Sequence, residues 1–242
     1  INNRYINNDN NIDNRNINND NNSDNYIDNY VWVMIYNELF ALIYHFIFIL
    51  AITLSIGGND TLQGVWNTTA GGDSTIATAG TGVGNYIANE GPPNAFDGNC
   101  NTKFLSFGEC VDKGSMIPEC GRNTGFHVTL VNGAVLVRGL RFCAANDAPN
   151  RDPKTITFEG TNHTGSDLLL GSSWTLIYNG SCGLDIDPGR KQLGQLVTFS
   201  YNNLTYSSYR ILVTSKRGND YCTQYGELHL FGWEFLIYKY KS

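Results

Sequence analysis

Residues 139–162 read GLRFCAANDAPNRDPKTITFEGTN, and this run decides the fold. Its second half, KTITFEG from Lys154 to Gly160, alternates in character. Ile156 and Phe158 fall on one face, and Thr155, Thr157 and Glu159 fall on the other. A period of two marks a strand with one buried face. Between this strand and the preceding apolar GLRF lies APNRDP, where Pro149 and Pro153 fix φ and bias Ala148 and Asp152 towards extended geometry. The run therefore predicts strand, stiff bend, strand. The bend also gathers Asp147, Arg151 and Asp152, either to tie the turn through an arginine–carboxylate pair or to meet a ligand.

The same alternation recurs on both sides, in GFHVTL, AVLVRGLRF, SWTLIY, QLVTFSY, SYRILVTS and GELHLFG, the last with Leu228 and Leu230 inward. No amphipathic helix longer than about two turns is evident, so the expected class is all-β, a sandwich or jelly roll. The chain has 242 residues, 26 glycines and 16% charged residues, which suits one glycine-rich, loop-rich domain. Its net charge is −6 and its lysines and arginines are scattered singly. Nothing there provides the cationic surface on which nucleic-acid or membrane-surface binding rests.

Upstream of the β region the composition changes twice. Residues 1–33 are rich in asparagine, with INNDNNIDN from Ile6 echoed as INNDNNSDN from Ile17. Such a segment has too little apolar area to offset the entropy of ordering, so disorder is expected. The first methionine is Met34, and the expected start of the protein lies there. Residues 34–57 then read as a signal peptide or an uncleaved signal anchor. Their apolar core, LFALIYHFIFILAITLSI (39–56), carries no formal charge and predicts a helix, with cleavage expected before Gly58. The domain proper is expected at 58–233, with a tail at 234–242. A membrane role follows only if 39–56 stays attached.

All six cysteines (Cys100, Cys110, Cys120, Cys143, Cys182, Cys222) follow the apolar segment, an even number that reads as disulfides in an oxidising compartment. No C-x2-C pair is present to suggest zinc. Sequons at Asn59, Asn67, Asn162, Asn179 and Asn203 fit a glycosylated secreted or cell-surface domain.

The succession PPNAFDGNCNTKFLSFG (92–108), the opening run, SWTLIYNG (173–180) and YSSYRILVTSKRGNDYCTQYGELHLFG (206–232) resembles the galactose-binding-like β-sandwich superfamily. That is the fold of discoidin or coagulation factor 5/8 type C domains and of many carbohydrate-binding modules. The resemblance implies an eight-stranded jelly roll acting as a non-catalytic ectodomain that recognises glycan or extracellular glycoprotein. It also implies one structural calcium ion, and a scaffold role for Asp147, Arg151 and Asp152. Two other classes stay open: a membrane-tethered adhesion ectodomain, and an accessory domain of a larger extracellular enzyme.

For calcium, Asp97, Asn99 and Thr102 offer carboxylate, amide and hydroxyl oxygens on one tight loop, as a hard cation requires. An EF-hand is excluded, because Thr102 stands where its glycine would be and Gly108 where its glutamate would be. The resemblance adds Glu227, on the last strand, as a further ligand. The bland alternative is a turn in which Asp97 binds its own backbone. Fifteen disulfide pairings are open to six cysteines. The expected set is Cys110 with Cys120, Cys100 with Cys222, and Cys143 with Cys182, since an assembled calcium site draws Cys100 towards the chain just before Glu227.

Sugar sites stack an aromatic ring on the sugar and bond its hydroxyls from loops. Arg122, Tyr221 and Tyr225 are the candidates, with Trp66 and Phe107 behind them, whereas Trp174 reads as core. An enzyme is not expected. The acids Asp147, Asp152, Glu159, Asp185 and Asp187 lie in turns or on outward strand positions where solvation explains them. His127, His163 and His229 have no serine or cysteine nucleophile beside them.

Overall fold

The computed structural model describes residues 52–53, 60–199 and 201–233. Its strands are β1 (Ile52–Thr53), β2 (Thr61–Trp66), β3 (Thr75–Ile76), β4 (Thr78–Ala79), β5 (Asn85–Tyr86), β6 (Phe104–Ser106), β7 (Thr124–Thr129), β8 (Leu136–Cys143), β9 (Pro153–Thr161), β10 (Thr175–Ser181), β11 (Val197–Thr198), β12 (Ser208–Lys216), β13 (Thr223–Tyr225) and β14 (Glu227–Trp233). Among the described residues only short 3₁₀ turns accompany them, at Pro92–Ala95, Pro149–Arg151, Gly165–Leu169 and Gly171–Ser173. The chain is all-β, as the alternation predicts. The expected eight strands are instead fourteen segments among the described residues, because bends and bulges cut long strands and short pairs add to them.

Two antiparallel sheets face each other. One has the order β10-β9-β12-β7-β2-β3, the other β1-β14-β8-β11, and the chain crosses repeatedly between them in the manner of a jelly roll. Period-two patterning explains what lies between. Ile156 and Phe158 of β9, Phe126 and Val128 of β7, and Tyr209, Ile211 and Val213 of β12 meet Leu140 and Phe142 of β8 and Leu228 and Leu230 of β14 in one core. Aromatic edges lock it, with Phe142 and Tyr225 centroids 4.9 Å apart and perpendicular, and Phe158 stacked on Tyr209 at 5.1 Å.

Two close approaches require glycine. A Cβ on Gly125, in β7, would lie 1.9 Å from the carbonyl oxygen of Ile211 in β12. A Cβ on Gly171 would lie 2.1 Å from the carbonyl oxygen of Gly71, where two covering loops meet.

Of the apolar segment 39–56, only Ile52 and Thr53 are described, and they form β1 against Phe231 and Gly232 of β14 rather than helix. The expectations for 1–33, for the rest of 34–57, for Asn59 and for 234–242 lie outside the described residues. No described helix is long and apolar enough to cross a membrane.

The disulfides correct the expected set. Cys110 joins Cys120 as expected, with Cα atoms 5.3 Å apart, but Cys100 joins Cys143, at 5.9 Å. The reason is register: Cys143 sits opposite Glu227 in the β8–β14 ladder, so the 97–102 loop that rests on Glu227 meets Cys143 first. Cys222 is buried with Leu105 and Phe107, and Cys182 is buried with its thiol donating to the carbonyl of Pro153 at 3.0 Å. Both are free thiols, and burial pushes each up to about 12.

Candidate functional site

The loops 87–103, 107–123, 144–152 and 217–222, with the short strand β13, bring the sequence's candidates together. In the first loop, Gly98 takes φ +74°, a conformation glycine adopts without strain, and turns the chain over the start of β14. Asp97 Oδ1 accepts the Asn99 amide at 2.9 Å, and Asp97 Oδ2 accepts the Thr102 hydroxyl at 2.6 Å. Glu227 Oε2 accepts the amides of Gly98 and Asn99 at 3.0 and 3.2 Å. Asn99 Oδ1 takes two donors from Asn101. All four expected residues therefore share one loop–strand junction.

Two carboxylates converge at this junction, and neither forms an ion pair with a basic side chain among the described residues. Burial, opposed by the Asn99 amide and reinforced by the nearby Asp97 carboxylate, pushes the Glu227 carboxyl up to about 7. A cluster of hard oxygens with an unrelieved like-charge pair is chemically suited to a divalent cation.

Beside it lies a polar fan. Lys103, buried, donates to Asp147 Oδ1 at 2.9 Å and to Gln224 Oε1 at 3.1 Å. The Gln224 amide donates to the carbonyl and carboxylate of Asp147 at 2.8 and 2.7 Å. Arg151 lies 4.6 Å over the Tyr221 ring, donates to its hydroxyl at 2.9 Å and pairs with Asp220 at 3.0 Å. Behind Tyr221, Phe107 stacks at 6.2 Å. Lys216 clamps this loop from below, its ammonium donating to the carbonyls of Asp220 and Cys222.

Here the bend differs from expectation in its partners. Asp152 is fully buried and held bidentately by Arg190, at 2.8 and 2.5 Å, not by Arg151. Arg190 comes from the 182–196 loop, which the sequence places far from the bend. Asp147 pairs with Lys103 and Arg151 with Asp220, so each of the three expected bend residues takes its ion-pair partner from outside the bend.

Of the ligand candidates, Tyr221 and Arg122 lie at the loop end. Arg122 is part-exposed, with its Nε donating to the Thr214 carbonyl at 2.9 Å and its guanidinium 3.9 Å from Glu119. Tyr225 is corrected: it is fully buried among Phe104, Phe126 and Phe142 and meets no solvent. Phe107 is buried as well, and Trp66 is half-buried against Gly84. The sequence missed Lys103, Lys216, Asp220 and Gln224, whose types carry no pattern and whose meeting depends on tertiary contact.

Glu159 is also corrected, and His127 lies with it, both opposite Arg210 of β12. Both face outward on the six-stranded sheet, yet the loops around 67–74 and 163–174 cover them. Glu159 is fully buried and bound bidentately by Arg210, at 2.7 and 3.0 Å. Arg210 lies 4.8 Å over Trp174, so that tryptophan packs on the outer face instead of between the sheets. Burial lowers His127 to about 4, with Arg210 adding to the effect. No group of three or more His, Cys, Asp or Glu gathers as a metal site among the described residues. The described sequon asparagines, Asn67, Asn162, Asn179 and Asn203, are all exposed.

No family model and no curated protein matches the sequence. Solved structures are similar to it in fold. The family 32 carbohydrate-binding module of Clostridium perfringens NanJ, solved with galactose, is 14% identical with a TM-score of 0.46, covering 74% of this chain and 98% of its own. A second family 32 module from C. perfringens, solved with GalNAc-β-1,3-galactose, has the same identity and TM-score, with 74% and 99% coverage. An F5/8 type C domain from Bacteroides fragilis is 12% identical with a TM-score of 0.42, covering 61% and 83%.

Proposed function

We propose that this domain is a non-catalytic carbohydrate-binding module of the extracellular space or cell surface, with its ligand surface at the loop end around Tyr221. The observation that carries the reading is the Arg151–Tyr221 stack. A half-buried aromatic ring is fixed by contact with a guanidinium and with Phe107, at a rim where Arg122 and Asp147 keep 40% and 53% of their side chains exposed. Planar apolar area supplies contact, and charged donors and acceptors around it supply hydroxyl recognition. Preorganisation by Phe107, Lys216 and Gln224 lowers the entropy that binding must overcome. None of these groups forms a nucleophile–base pair, which fits binding without chemistry.

The same reading assigns a structural calcium ion to Asp97, Asn99, Thr102 and Glu227. What supports it is the unrelieved pair of carboxylates among amide and hydroxyl oxygens. The ion would supply charge neutralisation and tie the 97–102 loop to β14. Two disulfides and four exposed sequon asparagines support an oxidising, glycosylating compartment.

The test is titration of the protein with galactose, GalNAc and a glycan array, with Tyr221→Ala and Arg122→Gln beside wild type. Tyr221→Ala should weaken the best ligand at least tenfold, about 1.4 kcal/mol, and Arg122→Gln less. A wild type that binds no glycan, or a Tyr221→Ala protein that binds unchanged, removes the assignment.

A further inference from the structure

Along β14, Leu228 and Leu230 enter the core, so His229 and Phe231 between and beyond them face outward. On β8, Phe142 and Leu140 enter the core and Arg141 faces outward, directly opposite His229. Arg138 stands three residues from Arg141, which in a regular strand would send it inward. It does not go there, because the ladder slips by one residue: Phe231 pairs with Gly139, but Gly232 pairs with Val137. Arg138 and Gly139 together oppose Phe231. This is a β-bulge, a device that re-aims a side chain, and beyond it Val137 takes the inward position in the core. The bulge thus places Arg138 on the same outer face as Arg141 and His229.

These two arginines differ from the others. Arg122, Arg151, Arg190, Arg210 and Arg217 each have a carboxylate partner, whereas Arg138 and Arg141 have none among the described residues. The chain carries 22 acidic against 16 basic residues, so leaving two guanidinium groups unpaired side by side is not a consequence of scarce carboxylates. Arg141 donates its Nε to the carbonyl of Gly194 at 2.6 Å, which fixes the plane of its guanidinium. The Nε of Arg138 is buried with no hydrogen-bond partner among the described residues, an unsatisfied donor of the kind that calls for a ligand or an ordered water. His229, directly opposite Arg141 on the same face, adds a hydrogen-bonding group beside it.

We infer that the outer face of the four-stranded sheet, at Arg138, Arg141 and His229, is a second binding surface that takes an anionic polysaccharide through its carboxylate or sulfate groups. Three residues of strand set the two arginines at most about 10 Å apart along the backbone, on one face of the sheet. A linear chain with repeated charges matches such a row, and guanidinium forks recognise carboxylate and sulfate oxygens in pairs. The choice of a glycan over an acidic peptide rests on the carbohydrate-binding reading above; the anion surface itself does not.

The experiment is affinity electrophoresis of the whole chain through polygalacturonate, heparin, neutral dextran and poly-glutamate, at low and at physiological salt. Wild type, Arg138→Gln/Arg141→Gln and Tyr221→Ala are compared, with unfolding midpoints confirming that each is folded. Retardation by polygalacturonate or heparin, weakened at least tenfold in the double arginine variant, reduced by salt and unchanged in Tyr221→Ala, supports the assignment. Which polyanion retards the protein identifies carboxylate or sulfate. Failure of galactose binding with this pattern intact would sink the loop-end reading alone. Equal retardation by dextran or poly-glutamate, no retardation by either polyanion, or full retardation of the double variant overturns the second surface.

Discussion

Arg210 and Glu159 face each other across β12 and β9 with no exposure on either side chain. Two charges taken out of water are tolerated only when their hydrogen bonds are complete. Here Arg210 gives Nε and Nη2 to Glu159, and gives Nη1 to the Ser74 hydroxyl at 2.8 Å and the Gly72 carbonyl at 3.1 Å. Glu159 also accepts the Gly71 amide at 2.8 Å. The pair therefore pins the 67–74 loop to the sheet. Glu159→Ala should lower unfolding stability by about 3–5 kcal/mol in urea titration, while Glu159→Leu with Arg210→Met should recover most of that loss. Next to it His127 titrates in the opposite sense to a paired histidine. Its folded value of about 4 lies below its ordinary 6.5, so the unfolded chain binds more protons between them. Stability should be fully present above pH 6.5 and fall as pH drops towards 4, by at most about 1.4 kcal/mol per pH unit from this group. His127→Gln should flatten that part of a stability–pH profile; an unchanged slope would assign it to other groups. The sequence made the side of these residues legible, since KTITFEG alternates cleanly. It did not reveal their burial, because the cover consists of irregular loops with no period to read.

The bend and its neighbours show what kind of element a sequence discloses. APNRDP is stiff because its prolines are local, and the structure has a 3₁₀ turn at Pro149–Arg151 followed by an extended Asp152, as expected, whereas Ala148 takes φ 39° in the left-handed region instead of the expected extended geometry. Its partners are not local: Asp152 takes Arg190 from 38 residues away, and Arg151 takes Tyr221 from 70 away. The disulfides divide in the same way. Cys110 and Cys120 are ten apart and close their own loop, so their pairing was legible. Cys100 and Cys143 meet only through the β8–β14 register, which no spacing encodes. Peptide mapping without reduction should recover Cys110–Cys120 and Cys100–Cys143, with Cys182 and Cys222 alkylated only after unfolding. Recovery of a Cys143–Cys182 peptide would contradict this register. Replacing Cys110 and Cys120 by serine should cost about 2–3 kcal/mol, as expected for so short a closed loop. It should also loosen the 107–123 loop behind Tyr221 and so weaken glycan binding more than stability alone explains.

A sandwich of this connectivity has its first and last described strands on the same sheet, and the loop before β6 reaches forward to the start of β14. The contact is made by backbone amides of Gly98 and Asn99 on Glu227, 129 and 128 residues apart. Such a long-range closure is costly in chain entropy until it forms, and two converging carboxylates oppose it. A calcium ion at Asp97, Asn99, Thr102 and Glu227 would replace that repulsion with attraction and lock the loop to the last strand. Because the folded chain alone assembles these oxygens, free calcium at about 100 times its dissociation constant should add roughly 2.7 kcal/mol to unfolding. Asp97→Ala should abolish the increment. Asp152→Ala should lower stability with and without calcium, since it strips the buried partner of Arg190, yet it should leave the increment itself intact. Thermal unfolding of wild type and both variants in EDTA and in millimolar calcium separates the two effects. A wild-type midpoint indifferent to calcium would reduce Asp97 to a turn residue and leave Glu227 as a protonatable cap on the Gly98 and Asn99 amides.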